Sequence, residues 1–508
     1  MRIPLLPLLA LTLLASGLTA ETFYVHATAG QDVPTGGTQA APWKTIQYAV
    51  SQAYGSTSRA GNHVFLLARG TYRESISFPF PAAAGFTVAF VGSAADEVIV
   101  DGNISTPDTM MGLSVSKLTC RRVLCDTNAK GGYLTITACV VSELARHFTG
   151  MNYMAETAVL KVTQSDLGAL EATFRGESSV SALISNSRIG TGGFSLQTYY
   201  PRSQFVEVSD VEVHGSVYLN LNKYERCVFR RSSLRSGVIL KVSDAWHFST
   251  RLELIDSIVT GGATRTGIDV SYPYTSYYAP VAIHLERSVT VGCGAGVVAV
   301  GVAPIEITVL DSMIVDNRGV AIDLQADAAS ATVMRSVIAR NHGAALKTRA
   351  VTLNPRSPSQ VTIRDSIIAQ NERGVVVTSD AQKPGLLLVS GCTIVDNPTL
   401  AIDRGVLPVA NVRVDHTILA GSTTSLAPTA CPVSYCLSDN TTLTGTGNLR
   451  ADPRGSRAAV SVTTACRACR PRLMRARPEL PTRRTLRAML DASRSGAAPP
   501  TRTSGPTS

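Results

Sequence analysis

A seven-residue segment that returns four times in the second half of the chain decides the fold. It reads DSMIVDN at residues 311–317, RSVIARN at 335–341, DSIIAQN at 365–371 and GCTIVDN at 391–397. In every copy Ser or Cys is second, Ile is fourth and Asn is last. The second residues of successive copies lie 24, 30 and 26 positions apart, which is too short for a domain and suits one turn of a solenoid. We therefore predict a stack of similar coils.

Weaker copies extend this array on both sides, at Ser257/Val259, Ser288/Thr290 and Thr417/Leu419. The strand signals are short and β-branched, and Gly, Asn and Asp mark turns between them. In stacked parallel coils, equivalent residues of successive coils lie about 4.8 Å apart. The recurring Asn is therefore predicted to form a ladder, at turns where Asn tolerates a left-handed backbone.

A second recurring position carries charges of alternating sign. The residue just before each Ser-like position is Arg231, Asp256, Arg287, Asp311, Arg335 or Asp365. If these side chains stack outward, each charge lies between two opposite ones. Exposed ion pairs contribute only about 0.2–1 kcal/mol each, so we expect this column to fix the register of the coils. A chance arrangement is the alternative.

The composition and the first residues indicate an exported globular protein. With 508 residues, of which 44% are hydrophobic, the chain can bury a large core. Beyond the first residues no stretch is long and apolar enough to span a bilayer. Residues 1–20 combine Arg2, an apolar run from Ile3 to Leu14 and small residues up to Ala20, which predicts a signal peptide and a secreted protein.

Segments near the start of the predicted mature chain resemble a known group of proteins. They read FYVHATAGQD at residues 23–32, APWKTIQYAVSQA at 41–53 and GTYRE at 70–74. They are similar to the opening of secreted bacterial right-handed parallel β-helix repeat proteins of the pectate-lyase-like superfamily. The resemblance implies an all-β, single-stranded right-handed parallel β-helix over residues 21–454. Its capping helix, at about residues 42–54, would cover the open end of the sheets.

The net charge of +10 is concentrated in a tail at the C-terminal end. Residues 455–508 contain 11 Arg, no Lys and two acidic residues, so the rest of the chain is nearly neutral and we expect no nucleic-acid partner. One interpretation is a disordered, low-complexity basic tail that binds polyanions. The other is a segment translated out of frame.

The shifted reading frame of this tail has a resemblance of its own. Read from the third base of each codon, with suitable wobble bases, residues 462–476 can encode DYRLPRVSPAIDAR and residues 500–508 can encode DPDIGAYE. Both are similar to closing segments of secreted β-helix proteins, including the choice-of-anchor Q group. The resemblance implies that residues 455–508 are frameshifted and disordered, so the Cys466 and Cys469 pair receives no metal or redox interpretation.

Export would permit disulfides among the 10 Cys. Cys431 and Cys436 are close enough in sequence to close a small loop. Cys120, Cys125 and Cys139 could supply another pair. Cysteines at inward repeat positions, such as Cys392, are expected to be small buried hydrophobic residues.

Tyrosines in the longer loops are the best binding signal. In β-helices that act on polysaccharides, the resemblance places function in a groove along an outer sheet, walled by loops. Tyr rings stack on sugars while their hydroxyls remain hydrated. The candidate substrate-binding residues are Tyr199, Tyr200, Tyr272, Tyr274, Tyr277 and Tyr278. The alternative is that these rings pack their own loops down.

A polar cluster supplies the candidate catalytic residues. Asp210, Glu212 and His214 alternate with two valines, and a period of two places the polar side chains on one strand face. Two carboxylates and an imidazole could bind a cation such as calcium or perform acid/base chemistry. Lys241 could neutralise a uronate or act as the base in β-elimination. An ordinary solvated strand face is the alternative.

Complete catalytic motifs are missing from the sequence. It lacks the clustered Asp calcium site plus Lys of pectate lyases, and the N-T-D, D-D, G-H-G and R-I-K set of polygalacturonases. The 8 His form no H-x-H or H-E-x-x-H spacing. Two hypotheses follow: a secreted protein that binds extracellular or cell-surface polysaccharide, or a polysaccharide lyase or glycosidase. No cofactor is firmly implied, calcium is the candidate ion, and we expect a monomer without a membrane span.

Overall fold

The computed structural model describes most of the chain between residues 20 and 450. The described residues are 20–55, 61–78, 86–106, 110, 112–127, 132–149, 157–175, 179–199, 203–221, 225–242, 249–272, 280–349, 358–378, 385–405, 407–408, 411–427, 433–439, 443 and 446–450. The predicted signal peptide up to residue 19 and the tail at 455–508 lie outside them, so both remain predictions.

The chain forms a parallel β-solenoid, as the repeat predicts. Each coil contributes one strand to a first sheet. Neighbouring strands of this sheet come from successive coils and run parallel to each other. Seventeen described strands form this sheet. They are Glu21–Val25, His63–Leu67, Thr87–Gly92, Gly112–Ser116, Tyr133–Thr137, Ala158–Thr163, Ser179–Ser185, Ser203–Ser209, Glu225–Arg230, Thr250–Ile255, Val281–Glu286, Ile305–Leu310, Ala329–Met334, Gln360–Arg364, Leu386–Ser390, Val412–Asp415 and Val433–Ser434.

The remaining strands cover the other sides of the coil. In the first coils one strand, usually long, makes up this side: Gly70–Tyr72, Val98–Ser105, Thr119–Thr127, Val140–Thr149, Asp166–Arg175 and Arg188–Tyr199. Strand Arg188–Tyr199 then pairs with two separate strands, Glu212–Val213 and Val217–Leu221. From there the side divides into a second and a third sheet.

The second sheet continues with short strands: Glu212–Val213, Ser233–Leu234, Ile258–Val259, Val289–Val291, Met313–Val315, Val337–Ala339, Ile367–Ala369, Thr393–Val395, Ile418–Ala420, Leu437–Ser438 and Leu449–Arg450. The third sheet contains Val217–Leu221, Val238–Val242, Thr266–Tyr272, Ala295–Gly301, Ile322–Gln325, Ala344–Arg349, Arg373–Thr378, Leu400–Asp403 and Thr424–Ala427. Alternating side chains from all three sheets point inward and fill one apolar core.

The predicted capping helix is present, although it begins later than expected, at Ile46–Tyr54. Its inward side is buried, as its spacing predicts. Thr45 is the N-cap, and its hydroxyl accepts a hydrogen bond from the Tyr48 amide (3.2 Å). The Glu74 carboxylate accepts hydrogen bonds from the Ile46 and Gln47 amides, both at 2.8 Å. An anion at a helix N-terminus is stabilising, which explains the acidic residue of the GTYRE segment.

The Ser-like position forms a buried ladder at the turn between the first and second sheets. The backbone amide of Ser312 donates to Oγ of Ser336 in the next coil (3.1 Å), and the amide of Ser336 donates to Oγ of Ser366 (3.2 Å). Each hydroxyl also donates to the carbonyl two residues before it, as Ser312 does to Leu310 (2.7 Å). The Ser side chain therefore satisfies a backbone amide that the tight turn leaves inside.

The Asn ladder is confirmed, but the predicted backbone conformation is wrong. Oδ1 of Asn341 accepts hydrogen bonds from the backbone amide (3.1 Å) and Nδ2 (2.8 Å) of Asn317. Asn371 and Asn397 repeat this contact in the following coils. The left-handed residues are the ones just before each Asn: Asp316, Arg340, Gln370 and Asp396, with φ of 56–58°. The Asn side chains are buried and serve the turn by hydrogen bonding.

The charged column is confirmed in part, because opposite charges of successive coils meet in pairs. Arg231 binds Asp210, Arg287 binds Asp256, and Arg335 binds Asp311 through two Arg nitrogens each. These residues also share a left-handed backbone, with φ between 47° and 57°. The left-handed backbone of this turn directs their side chains outward. There the opposite charges of successive coils meet.

The described cysteines do not form the disulfides that the sequence would allow. Cys120, Cys125, Cys139 and Cys436 are all free and buried, while Cys431 lies outside the described residues. Burial raises the pKa of the Cys125 thiol to about 12. Cys436 instead occupies the Ser-like position of its coil, where its Sγ accepts a hydrogen bond from the Thr417 amide (3.4 Å). Cys392 is buried, as predicted.

Helix Ile46–Tyr54 is too short to cross a bilayer, and the described part of the chain contains no helix that is long and apolar enough to do so.

Candidate functional site

The predicted polar cluster lies where the first sheet turns into the second. Val211 and Val213 are buried, as the alternation predicts, and Glu212 and His214 point outward. Asp210 does not belong to the strand, because it is the left-handed turn residue (φ 57°) just before it. Asp210 and Glu212 line one side of a shallow groove that runs along these turns past Arg188 and Asp166.

Each carboxylate of this cluster already has an arginine partner. Asp210 accepts two hydrogen bonds from Arg231, at 2.7 and 2.6 Å, and these hold the pKa of Asp210 below its usual value. Glu212 binds Arg235 and lies 3.3 Å from Nε2 of His214. Bonding to a guanidinium in this way favours the ionised form of the Asp210 carboxyl group. This cluster therefore resembles the other ion pairs between coils, and nothing in its geometry favours a proton donor.

Lys241 lies on the third sheet, in strand Val238–Val242, while the cluster lies beside the second. The structure therefore does not unite the four candidate catalytic residues. Lys241 instead shares a face with Tyr199, one of the candidate binding residues.

We use the name aromatic face for outward side chains on consecutive coils of the third sheet and of the long strands that continue it. The face includes Phe148, Arg175, Gln197, Tyr199, Tyr218, Asn220, Lys241 and Asp269, together with smaller or apolar outward residues such as Ser195, Ile239 and Ser271. Side chains between these positions, such as Leu219 and Leu240, point inward and are fully buried. The period of two in each strand thus separates core from face.

Rings and hydrogen-bonding groups alternate on this face. The Arg175 guanidinium lies over two rings, 5.2 Å from the centroid of Phe148 and 5.3 Å from that of Tyr199. The Tyr199 hydroxyl donates to Oε1 of Gln197 (3.1 Å). Nζ of Lys241 lies 5.7 Å from the centroid of the Tyr218 ring. Contacts of this kind orient the side chains and keep the polar groups at the surface.

Asp269 is the unusual carboxylate of the aromatic face. Partial burial raises its pKa, and the charge of nearby Lys241 offsets part of that rise. Within the described chain, the carboxylate of Asp269 has no hydrogen-bond or ion-pair partner, in contrast to that of the arginine-bound Asp210. Perturbed and unpaired ionisable groups of this kind occur preferentially at functional sites.

The other candidate tyrosines do not join this face in the described chain. Tyr272 ends strand Thr266–Tyr272 with its side chain inward and 2% exposed, in the core. Its ring therefore offers no surface to a sugar, because the strand period directs it away from solvent. Tyr200, Tyr274, Tyr277 and Tyr278 lie outside the described residues.

The sequence interpretation missed Tyr218, Asn220, Arg175 and Asp269. The alignment of neighbouring strands could have identified these residues. Tyr218 lies two residues before Asn220, and Asn220 pairs with Lys241 in the next coil. Extending the Ser-like column to Ser187 and Ser232 aligns these strands, and alternation then places the residues on one face.

The described residues contain no group of three or more His, Cys, Asp or Glu side chains arranged to hold a metal ion. The calcium expectation therefore remains a prediction.

Comparison with known proteins gave structural matches alone, since no protein-family profile and no curated protein matches the chain. One match is the A-module of mannuronan C-5 epimerase AlgE4 of Azotobacter vinelandii, with 12% identity and a TM-score of 0.25, covering 84% of this chain and 96% of that one. Another is the A-module of mannuronan C-5 epimerase AlgE6 of the same organism, with 13% identity and a TM-score of 0.23, covering 80% and 94%. At these TM-scores the likeness carries no argument about function.

Proposed function

We propose that this is a secreted protein that binds an extracellular or cell-surface polysaccharide along the aromatic face and does not cleave it. The observation that carries the proposal is the spacing of two tyrosines. Tyr199 and Tyr218 belong to paired strands, and Gln197 pairs with Asn220 between them. Four residues of strand, about 13 Å, separate the levels of the two rings.

This spacing suits an extended sugar polymer better than a small ligand. Each ring can stack on a sugar, and the amides between the rings can hydrogen bond to hydroxyl groups. A single sugar is too small to reach both rings at that separation. The strands of a solenoid hold these side chains on a rigid frame. Binding therefore costs little conformational entropy of the protein, because the site is ordered before the ligand arrives.

Binding without cleavage is favoured by the state of the carboxylates. Asp210 and Glu212 are neutralised by arginines, and Lys241 lies on another sheet. A glycosidase needs two carboxyl groups placed on either side of the scissile bond. The described residues bring together no such pair from the candidate catalytic set.

Tyr218→Ala is expected to weaken binding of the recognised polysaccharide about tenfold, since one stacking contact contributes roughly 1.4 kcal/mol. Isothermal titration calorimetry against a panel of neutral and acidic polysaccharides measures this. Thr332→Ala is the matched control, because Thr332 lies on the outer side of the first sheet, and it should bind like the wild type.

The proposal fails if the wild-type protein binds no polysaccharide of the panel, or if both variants bind equally well. Release of reducing ends or of unsaturated products from a bound polysaccharide would favour the enzyme hypothesis instead.

A further inference from the structure

We infer that the outer face of the second sheet is a dimer interface, at which two copies of this chain pack with their stacks of coils running in opposite directions. The inference does not depend on the proposed function, because the residues that carry it lie on a different sheet from the aromatic face. The sequence leads us to expect a monomer, and that is the competing outcome.

Apolar side chains cover the outer face of the second sheet over six consecutive coils. We use the name apolar stripe for the two outward columns of these coils. The second column runs from Val291 to Ala420 and contains only Val and Ala. The first column consists of partly exposed residues, Val289, Met313, Val337, Ile367, Thr393 and Ile418.

The apolar stripe lies outside the core of the solenoid. Between the two columns the inward residues, such as Ile314, fill the core, whereas outward Val315 does not belong to it. The stripe is also confined to part of the sheet, because earlier coils place Asp166, Arg188 and Glu212 at the position of the first column. An apolar surface bordered by polar residues is typical of a protein interface.

Both edges of the apolar stripe carry charges of alternating sign. Along the edge next to the first sheet, successive coils present Arg287, Asp311, Arg335 and Asp365. Along the other edge, Asp316 is followed by Arg340. Arg335 binds Asp311 at 2.8 Å and Arg340 binds Asp316 at 2.7 Å, and all four side chains are partly exposed. A protein that covers the stripe must therefore present matching charges at both edges.

A second copy of the same face supplies matching charges at both edges. In a dimer with a two-fold axis, each residue meets the same surface of the other copy. If the axis follows the strand direction and passes between the coils of Asp311 and Arg335, then Asp311 faces Arg335 of the second copy. At the other edge Asp316 faces Arg340 of the second copy. Four charges thus alternate in sign around the axis at each edge, and such complementarity fixes the register of two partners.

Other two-fold arrangements of the same two faces bring like charges together. An axis along the stack would place Asp311 opposite Asp316 and Arg335 opposite Arg340. An axis through the coil of Asp311 would place that carboxylate opposite its own copy. Like charges that face each other across an interface oppose binding. The charges of this face therefore favour the antiparallel dimer described above.

The area of the face suits a weak dimer. Near the axis Met313 would pack on Val337 of the second copy, so apolar side chains meet apolar ones. The eight coils from Arg231 to His416 extend over about 34 Å, and the strand between the two edges over about 16 Å. Two such faces cover roughly 1,100 Å² together, which is at the lower end of the range for specific interfaces. We therefore expect a dimer that dissociates on dilution.

Sedimentation velocity of the full-length protein, at concentrations from about 1 μM to 1 mM, measures this equilibrium. The wild type is expected to shift from the monomer to twice that mass as its concentration rises. Val337→Lys is expected to raise the dissociation constant about 100-fold or more, because each dimer would bury two ammonium groups without partners. Thr332→Lys is the matched control, because Thr332 lies on the outer side of the first sheet, and it should dimerise like the wild type.

Cross-linking between copies tests the antiparallel arrangement with milder substitutions. The two copies of residue 337 would lie one coil apart along the stack, on either side of the axis. Leu437 lies four coils beyond Val337, so its two copies would be nine coils, about 43 Å, apart. A short bismaleimide should therefore join two copies of the Val337→Cys variant and should not join two copies of Leu437→Cys.

Three results would overturn the dimer. They are a wild type that remains a monomer over the whole concentration range, a Val337→Lys variant that dimerises as tightly as the wild type, and a Thr332→Lys variant that loses the dimer as well. Cross-linking of Leu437→Cys without cross-linking of Val337→Cys would overturn the antiparallel arrangement. Equal melting temperatures confirm that the variants are folded, and if Val337→Lys melts lower, the cross-linking result decides. Polysaccharide binding at the aromatic face stands or fails separately.

Discussion

Replacing Asn371 by Leu is expected to lower the free energy of unfolding by about 3–5 kcal/mol, because it leaves buried backbone groups without partners. Asn371 is 1% exposed. Its Oδ1 accepts from the Asn341 amide (3.1 Å), and its Nδ2 donates to the carbonyl of Ile338 (3.0 Å). Leu has a similar size but can satisfy neither group. Denaturant unfolding of the wild type and the variant measures the difference.

Glu372→Ala is the matched control for this variant. Glu372 follows Asn371 in the same turn, but its side chain is exposed. Its removal is expected to change stability by less than about 0.5 kcal/mol. Equal stabilities of Asn371→Leu and Glu372→Ala would contradict the buried ladder.

Stability is also expected to fall between pH 7 and pH 5 because of His147. Its side chain is fully buried in the core, 5.2 Å from the Phe174 ring centroid, and neither ring nitrogen has a hydrogen-bond partner in the described chain. Burial lowers the pKa of His147 to about 3. In the unfolded chain an ordinary His binds its proton near pH 6.5.

The unfolded state therefore takes up a proton below pH 6.5 that the folded state refuses until about pH 3. Folding stability then decreases as the pH falls through this window, by roughly 2 kcal/mol at pH 5 from His147 alone. His147→Leu should remove that part of the pH dependence, as seen in urea unfolding at both pH values. His342→Gln, at an exposed position, should retain it. Identical slopes in the wild type and His147→Leu would contradict a buried neutral His147.

The sequence was sufficient to predict the solenoid, because its turns use side chains that repeat. Ser312 and Asn317 recur from coil to coil, since each turn buries the same backbone amide and needs the same acceptor. The alternating charges of Asp311 and Arg335 are visible for a similar reason. The backbone conformation of the turn that carries the Asn ladder was not predictable from the sequence alone. Asn is the common residue for a left-handed position, yet in this turn Asp316, just before Asn317, is left-handed.

The candidate site was harder to predict, because it depends on the phase of each strand. Tyr272 and Tyr199 look alike in sequence, but Tyr272 has an inward position and Tyr199 an outward one. Loops of different length between coils shift this phase. Lys241 and Tyr218 lie 23 positions apart, and they become neighbours only once the strands are aligned. The alternation with Val211 and Val213 places Asp210 on a strand, but Asp210 is a turn residue whose carboxylate binds Arg231.

Every conclusion about the face depends on residues of successive coils being vertical neighbours, and cross-linking of introduced cysteines tests this most directly. Thr308 pairs with Thr332 in the next coil, and Thr332 pairs with Thr362 in the one after. One coil is about 4.8 Å, within reach of a disulfide, and two coils are about 9.6 Å, beyond it. Under mild oxidation, Thr308→Cys combined with Thr332→Cys should give a cross-linked peptide by mass spectrometry, and Thr308→Cys combined with Thr362→Cys should not. A cross-link in the second pair and none in the first would contradict the stacking of the coils.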